Sequence, residues 1–347
     1  MDSTPPARRN QMKITAKELA AKLNLSAAAV SIALNGKPGV STETRKLVLE
    51  TAEKYGYDFT RISEKKRTSG TVYFCIYKKH GAVVGDTPFF SEVSGGIAEG
   101  CKREEYRLKI SYLYEDGELA REIEEIQFSD CVGMILLGTE MTGEDYKHFS
   151  HLPFPVILLD TSMEGVSCDC VLMDNVLGAF QAASFLIKHT GKQPGYLHSF
   201  YPISNFNERE EGFFKAVHTH GLSASGCVVH RLPPSVDGAC TDMLDLLKKG
   251  APTASAYFAD NDWIAIGAVK AFKKMGYRIP EDVSIIGFDD VPFCTVIEPS
   301  LTTVHVHKHS MGEIAVSRLV KRLTEPNTPP AKIRLGTELV LRRSVMR

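Results

Sequence analysis

From Thr71 onward, short apolar runs of strand character alternate with amphipathic helical stretches, and this alternation restricts the fold more than any other feature of the chain. The strand-like runs are Thr71 to Lys78, Leu108 to Tyr114, Val132 to Leu137, Val156 to Leu159, Gln193 to Ser199, Ala256 to Ala259 and Val283 to Phe288. Helical patterns separate them at Phe90 to Glu105, Glu118 to Phe128, Asn175 to His189, Glu208 to His220 and Trp263 to Met275. A strand, a helix and a second strand return the chain parallel to itself, so this order implies parallel sheets covered by helices. Ligands settle beyond the carboxyl ends of the strands in such open sheets. About a dozen strands exceed what one compact doubly wound unit holds, so two lobes with a cleft between them are expected.

The chain has 347 residues, 43% of them hydrophobic, enough for a small domain and a large one. Met1 to Gln11 are polar, and no run approaches the roughly 20 apolar residues of a membrane span, so a cytoplasmic protein without a membrane partner is expected. The eight cysteines (75, 101, 131, 168, 170, 227, 240 and 294) lack CxxC spacing, which reads as buried reduced thiols, with no metal or cofactor expected. Charge is divided unevenly. Residues 1–69 hold 13 Lys/Arg against 7 Asp/Glu, whereas the remainder is acidic. A basic head on an acidic body suits phosphate binding at one end, although a solvated basic tail has the same composition.

The basic segment carries its own helix signals. Thr15-Ala16-Lys17-Glu18 is a capping box, and the helix it opens continues through Leu19, Ala20 and Leu23. Asn24-Leu25 interrupts before Ser26 supplies a second N-cap for Ala27 to Leu34, where Val30, Ala33 and Leu34 have core spacing. Ser41 caps a third helix, Thr42 to Tyr55, with Leu47, Val48 and Ala52 closing a three-helix core. Two helices across a tight turn, braced by a third, is the helix-turn-helix plan, and an unrelated small helical bundle fits the same pattern.

The residues from Ile14 to Tyr57 settle on one resemblance. Leu25-Ser26, Ala29-Val30-Ser31, the run Leu34-Asn35-Gly36-Lys37-Pro38-Gly39-Val40-Ser41, Thr44-Arg45 and Tyr55-Gly56-Tyr57 resemble the DNA-binding domain of the lactose/galactose repressor family. The resemblance places Ala27, Ala28 and Ile32 at base-reading positions. It places Thr15, Ser26, Ala29, Ser31, Asn35, Ser41 and Thr44 where members hold phosphates or cap helices. All three base-reading residues are apolar, so readout would rest on methyl contacts and DNA shape. After Tyr57 the family has a hinge helix whose leucine wedges into the minor groove; this chain has Lys66 at that place, within Lys65-Lys66-Arg67, which also reads as a charged linker.

The same resemblance runs through the rest of the chain. Ala259-Asp260-Asn261-Asp262, the run Gly276 to Asp290 and Pro299-Ser300-Leu301-Thr302-Thr303-Val304 resemble the family's effector domain, itself similar to periplasmic sugar-binding proteins. It implies an effector cleft lined by Phe89, Phe90, Arg209, Asn261, Trp263 and Asp289. Aromatic faces would stack on a sugar ring, while Arg, Asn and Asp meet its hydroxyls. Each has a plain structural reading as well: Phe89 or Phe90 as core at a helix entry, Arg209 as an exposed helix charge, Asp289 as a turn cap. Asp290 reads as structural. His305, His307 and His309 alternate, but a helix beginning near Lys308 would turn His309 away, so no metal site is expected.

The expected architecture is an all-α helix-turn-helix head joined to a two-lobed α/β domain with parallel sheets, resembling periplasmic binding proteins. The divisions are a disordered stretch at 1–12, the head at 13–57, a hinge at 58–70 and an effector domain at 71–347. Its first lobe takes 71–161 and 304–324, and its second takes 162–303 and 325–347. The resemblance implies a transcription regulator, a repressor, that binds double-stranded operator DNA as a homodimer under control of a carbohydrate effector. A solute-binding protein of similar fold is the alternative, but it leaves the basic head without a purpose. No GxSxG, Walker, HExxH or GxGxxG motif is present, so no catalytic residue is expected.

Overall fold

Thr15 opens the first helix as its spacing requires. Its hydroxyl accepts from the Glu18 N–H at 3.3 Å, while the Glu18 carboxylate accepts from the Thr15 N–H at 2.8 Å. The computed structural model describes residues 14–35, 39–59, 70–85, 88–115 and 118–346. Helices α1 (Ala16–Leu23), α2 (Ala27–Leu34) and α3 (Thr42–Lys54) form the head. Asn24 breaks α1 from α2 in the left-handed region (φ 53°), and the Ser26 hydroxyl accepts from the Ala29 N–H at 3.0 Å to start α2. Leu19, Ala20, Val30, Ala33, Leu34, Val48 and Ala52 form the core.

Leu47, expected in that core, is instead 48% exposed. Helical geometry allots the inner face of α3 to positions 45, 48, 49 and 52, and Leu47 falls outside it. The inner face includes a charge. Arg45 is buried and donates to the carbonyls of Ala33 (3.2 Å) and Ile32 (3.4 Å), meeting the open C-terminal end of α2.

The larger domain runs β1 (Thr71–Lys78), α4 (Pro88–Arg103), β2 (Arg107–Tyr114), α5 (Leu119–Gln127), β3 (Cys131–Leu137), α6 (Gly143–Tyr146), β4 (Val156–Leu159) and β5 (Asp169–Met173). It continues with α7 (Asn175–Thr190), β6 (Gly195–Ser199), α8 (Ser204–Thr219), β7 (Val229–Leu232), α9 (Val236–Lys248), β8 (Ala256–Ala259), α10 (Asp262–Lys274) and β9 (Ser284–Asp289). Then come α11 (Phe293–Val296), β10 (Thr302–Val306), α12 (Lys308–Thr324), β11 (Lys332–Leu335) and β12 (Thr337–Val340). One sheet has the order β11-β5-β4-β3-β1-β2 and is parallel throughout; the other has the order β12-β10-β9-β8-β6-β7, with β12 antiparallel to β10.

Both faces of the first sheet are covered. Val72, Phe74 and Ile76 of β1 join one apolar cluster, while Tyr73, Cys75 and Tyr77 join the other, which is why β1 reads as an unbroken apolar run. All eight cysteines are free thiols, and Cys227 alone is half-buried rather than buried. No helix among the described residues is long and apolar enough to cross a membrane.

The division between lobes differs from the sequence expectation. The sequence pattern places residues 162–303 in the second lobe, yet β5 pairs with β4 in the first sheet, with Ile157 opposite Asp169. It places residues 325–347 there too, yet β11 pairs with β5, with Lys332 opposite Cys170. All of β10, Thr302 to Val306, belongs to the second sheet. The chain therefore passes between lobes near Asp174, His307 and Gly336. The reason is local: β4 and β5 are joined without a covering helix, so the strand-helix alternation that marks the other strands gives no sign of β5.

Helices α4 and α12 pack on the first sheet with their backbones in contact. A Cβ on Gly96 would lie 2.0 Å from the His309 carbonyl oxygen, and one on Gly312 would lie 2.4 Å from that of Val93. Gly96 and Gly312 thus serve helix packing. Gly96→Ala should force α4 and α12 apart and cost about 1–3 kcal/mol, as overpacking does, read as a lower urea midpoint at unchanged slope.

Candidate effector cleft and nucleic-acid interface

In the head, the side chains marked by resemblance fall into two groups. Ala27, Ala28 and Ser31 are exposed along α2, and Ile32 and Ala29 are half-buried. The others are engaged at helix ends. Thr15 and Ser26 cap α1 and α2, and the Ser41 hydroxyl accepts from the Thr44 N–H at 3.2 Å. Asn35 donates its amide to the Ser31 carbonyl at 2.7 Å, closing the end of α2. The free face of α2 thus offers methyl groups and one hydroxyl. Lys66 lies outside the described residues.

The six residues expected in the cleft line a single cavity, whose volume is about 40 Å³. They converge because each follows or faces the carboxyl end of a strand. Phe89 and Phe90 begin α4 after β1, Asn261 and Trp263 follow β8, and Asp289 ends β9. Arg209 reaches the same point from α8. Phe89 and Phe90 are both buried, with rings edge to face at 5.0 Å. The Asn261 side-chain oxygen accepts from the Ile264 N–H at 2.9 Å to cap α10, leaving its amide nitrogen as the available donor.

Arg209 is 3% exposed, so the reading as a surface charge does not hold. Its Nε donates to Asn175 Oδ1 at 2.9 Å, Nη1 to the Asp260 carbonyl, and Nη2 to Asp289 Oδ1 at 3.1 Å and the Met173 sulfur at 3.3 Å. The guanidinium lies 3.8 Å from the centroid of the Phe288 ring. Burial raises the pKa of Asp289, and the Arg209 and Lys308 charges oppose that rise. Asp260 is fixed in turn: its carboxylate accepts from the Ser199 N–H at 2.6 Å and stands 2.8 Å from His198 Nδ1.

The cavity also holds residues the sequence reading missed: Val83, Asp160, Met173, Ile203, Asn205 and Phe206. Two signals pointed to them. Asp160 follows β4 at its carboxyl end, as the strand-end rule requires. Asn205 and Phe206 precede Arg209 by four and three residues and so share its helical face. Asp160 accepts from the Thr139 hydroxyl at 2.5 Å and from Asn205 Nδ2 at 3.0 Å, tying the two lobes together, and burial pushes its pKa up to about 7.

Val83 is held over the cavity by a carboxylate with no lining role. Buried Glu140 accepts from the backbone N–H groups of Lys79, His80, Gly81, Val83 and Val84 at 2.8 to 3.1 Å. Burial alone would raise its pKa; the N–H groups outweigh burial, and the net direction is down. The alternating histidines turn to separate carboxylates: His305 to Asp290 (2.9 Å), His307 to Glu338 (3.4 Å) and His309 to Glu99 (3.1 Å). Arg342 also holds Asp290, at 2.6 Å.

A family model described as a periplasmic binding protein-like domain matches residues 192–345. The chain is 28% identical to the HTH-type transcriptional repressor PurR of Pasteurella multocida, over 95% of this chain and 98% of the relative. It is 30% identical to the HTH-type transcriptional regulator GalS of Salmonella typhimurium, over 87% of this chain and 88% of the relative. Its fold matches that of the transcriptional regulator CelR in its cellobiose complex with a TM-score of 0.71, at 23% identity over 95% and 99% of the two chains. With the fold, the head and the identity to GalS together, the protein belongs to the lactose/galactose repressor family of DNA-binding transcription regulators.

Proposed function

We propose that the protein is a repressor that acts as a homodimer and that an uncharged sugar, bound in the cleft, sets its affinity for operator DNA. The convergence of Phe89, Phe90, Arg209, Asn261, Trp263 and Asp289 on one cavity carries this reading. Ala27, Ala28 and Ile32 would read bases through methyl contacts, and the backbone N–H groups at the start of α2 would meet phosphate. CelR supplies a precedent for a sugar in this fold, since it was solved as a cellobiose complex. The relatives are transcription regulators, and enzyme activity has no part in the proposal.

Charge favours a neutral ligand over a phosphorylated one. Arg209 is the single cation among the described lining residues, and every nitrogen of its guanidinium already has a partner. Asp160 and Asp289 also line the cavity. A phosphate would meet carboxyl groups and no free cation, whereas sugar hydroxyls can both donate to the carboxylates and accept from Asn261.

A second copy fits the apolar surfaces left open on both lobes. Ile110, Tyr112 and Tyr114 are 43% to 47% exposed on the edge strand β2, and Phe293 and Val296 are 49% and 77% exposed on α11, beside a groove lined by Ile266, Val269 and Ile297. Edge strands and apolar patches of this kind ask for cover. Val296→Glu should therefore shift the full-length protein from dimer toward monomer in sedimentation. An unchanged dimer would place the interface elsewhere.

Trp263 is the one tryptophan in the chain and lines the cavity, so its emission reports occupancy directly. A titration with free mono- and disaccharides, their phosphates and purine bases should give a saturable change with a free sugar alone. Asp289→Asn should weaken that sugar about tenfold or more, the range of one charge-assisted hydrogen bond. Operator binding by the same samples, followed by fluorescence polarisation, should change with that sugar. A response confined to phosphates or purines would overturn the proposal.

The raised pKa of Asp160 makes a separate expectation. The folded state holds the proton up to about pH 7, the unfolded chain only to about 3.8. Its contribution to stability is therefore full below the lower value and is lost as pH rises toward the upper one. Asp160→Asn removes this loss. Relative to wild type, the variant should gain stability between about pH 5 and pH 7.5, measured as the difference in urea midpoints at the two pH values.

A further inference from the structure

Lys308 is the first residue of α12 and is 1% exposed. A cation there meets two penalties. Burial removes its hydration, and the start of a helix carries the positive end of the helix dipole. Compensation comes from across the cleft. Lys308 Nζ donates to the carbonyl of Asp289 at 2.7 Å and lies 3.3 Å from that of Asp290. On its own lobe, the Glu92 carboxylate of α4 lies 3.8 Å away, and the Phe89 ring centroid lies at 5.9 Å.

The turn it grips is strained. Asp289 and Asp290 have φ values of 110° and 54°, in the left-handed region that residues with a Cβ rarely adopt. Such a turn persists only if its surroundings hold it. His305 and Arg342 hold the Asp290 carboxylate, and Arg209 holds that of Asp289. The two carbonyls face Lys308.

We infer that Lys308 is a positioning residue: from the first lobe it clasps the Asp289–Asp290 turn of the second, aiming Asp289 at the cavity and setting how far the lobes close. It links the two walls of the cleft, since Phe89 and Asp289 line it from opposite lobes. The ammonium also favours the ionised form of Asp289, against burial. The functional meaning of this clasp rests on the cleft being the effector site, but its geometry is independent of which ligand binds.

The test uses full-length protein and no effector, so its failure is distinct from failure of the sugar titration. Acrylamide quenching of Trp263 emission, compared among variants of the same oligomeric state, reads access to the cleft, because the outer groove that Trp263 also lines is common to all of them. Lys308→Met keeps the length and loses the charge, and should raise the quenching constant about twofold as the cleft opens. Lys308→Arg, which keeps the donors, should restore quenching toward wild type. Arg318→Met removes another buried cation of α12, one paired with Asp169 at 2.5 Å, and should lower the melting temperature without changing quenching. If Lys308→Met does not fold by circular dichroism, Lys308→Gln replaces it with the same expectation. Wild-type quenching in the folded neutral variant, no restoration by arginine, or an equal rise in Arg318→Met would each overturn the inference.

Discussion

The guanidinium of Arg209 stands where the two lobes meet. It touches Met173 at the end of the first sheet, Asn175 just past the crossing, and, in the second lobe, Asp260 just after β8 and Asp289 at the end of β9. A buried charge with this many partners is costly to leave unpaired, so it holds strand ends from both sheets in fixed relation. The other members of the site depend on that relation. Asp289 keeps its orientation through Arg209, while Asn205 and Phe206 come to the cavity on the same helical face of α8.

A second constraint comes from the connectivity. Three crossings join the lobes, and two of them lie close to residues at the cleft: Asp174 just after Met173, and His307 just before Lys308; the third is at Gly336, between β11 and β12. Any change in the angle between the sheets must pass through these segments. A ligand that touched both lobes would therefore have a direct mechanical route to the separation of the lobes, which is what a regulator with a separate reading head requires.

The head follows different rules. It has a small core, closed by alanine, valine and leucine, and its polar groups are occupied with capping helices. The face of α2 that remains is nearly free of hydrogen-bonding side chains. Recognition through such a face would depend on fit, on methyl groups and on the backbone, and the basic character of the segment would supply attraction without sequence information.

Local chemistry alone determined much of this protein. The caps at Thr15, Ser26 and Ser41, the breaks at Asn24 and Asn35, and most strands and helices of the large domain were legible because each depends on neighbours within a few residues. The convergence of Phe89, Asn261 and Asp289 was legible too, through the resemblance and the rule that strand ends gather at one edge. Tertiary structure alone decided that β5 and β11 join the first sheet, that Arg45 is buried against the end of α2, that Asp160 lines the cleft and that Lys308 reaches the Asp289–Asp290 turn. Those outcomes depend on partners far apart in the chain, and burial of a charged side chain is set by what packs around it, which no local pattern records.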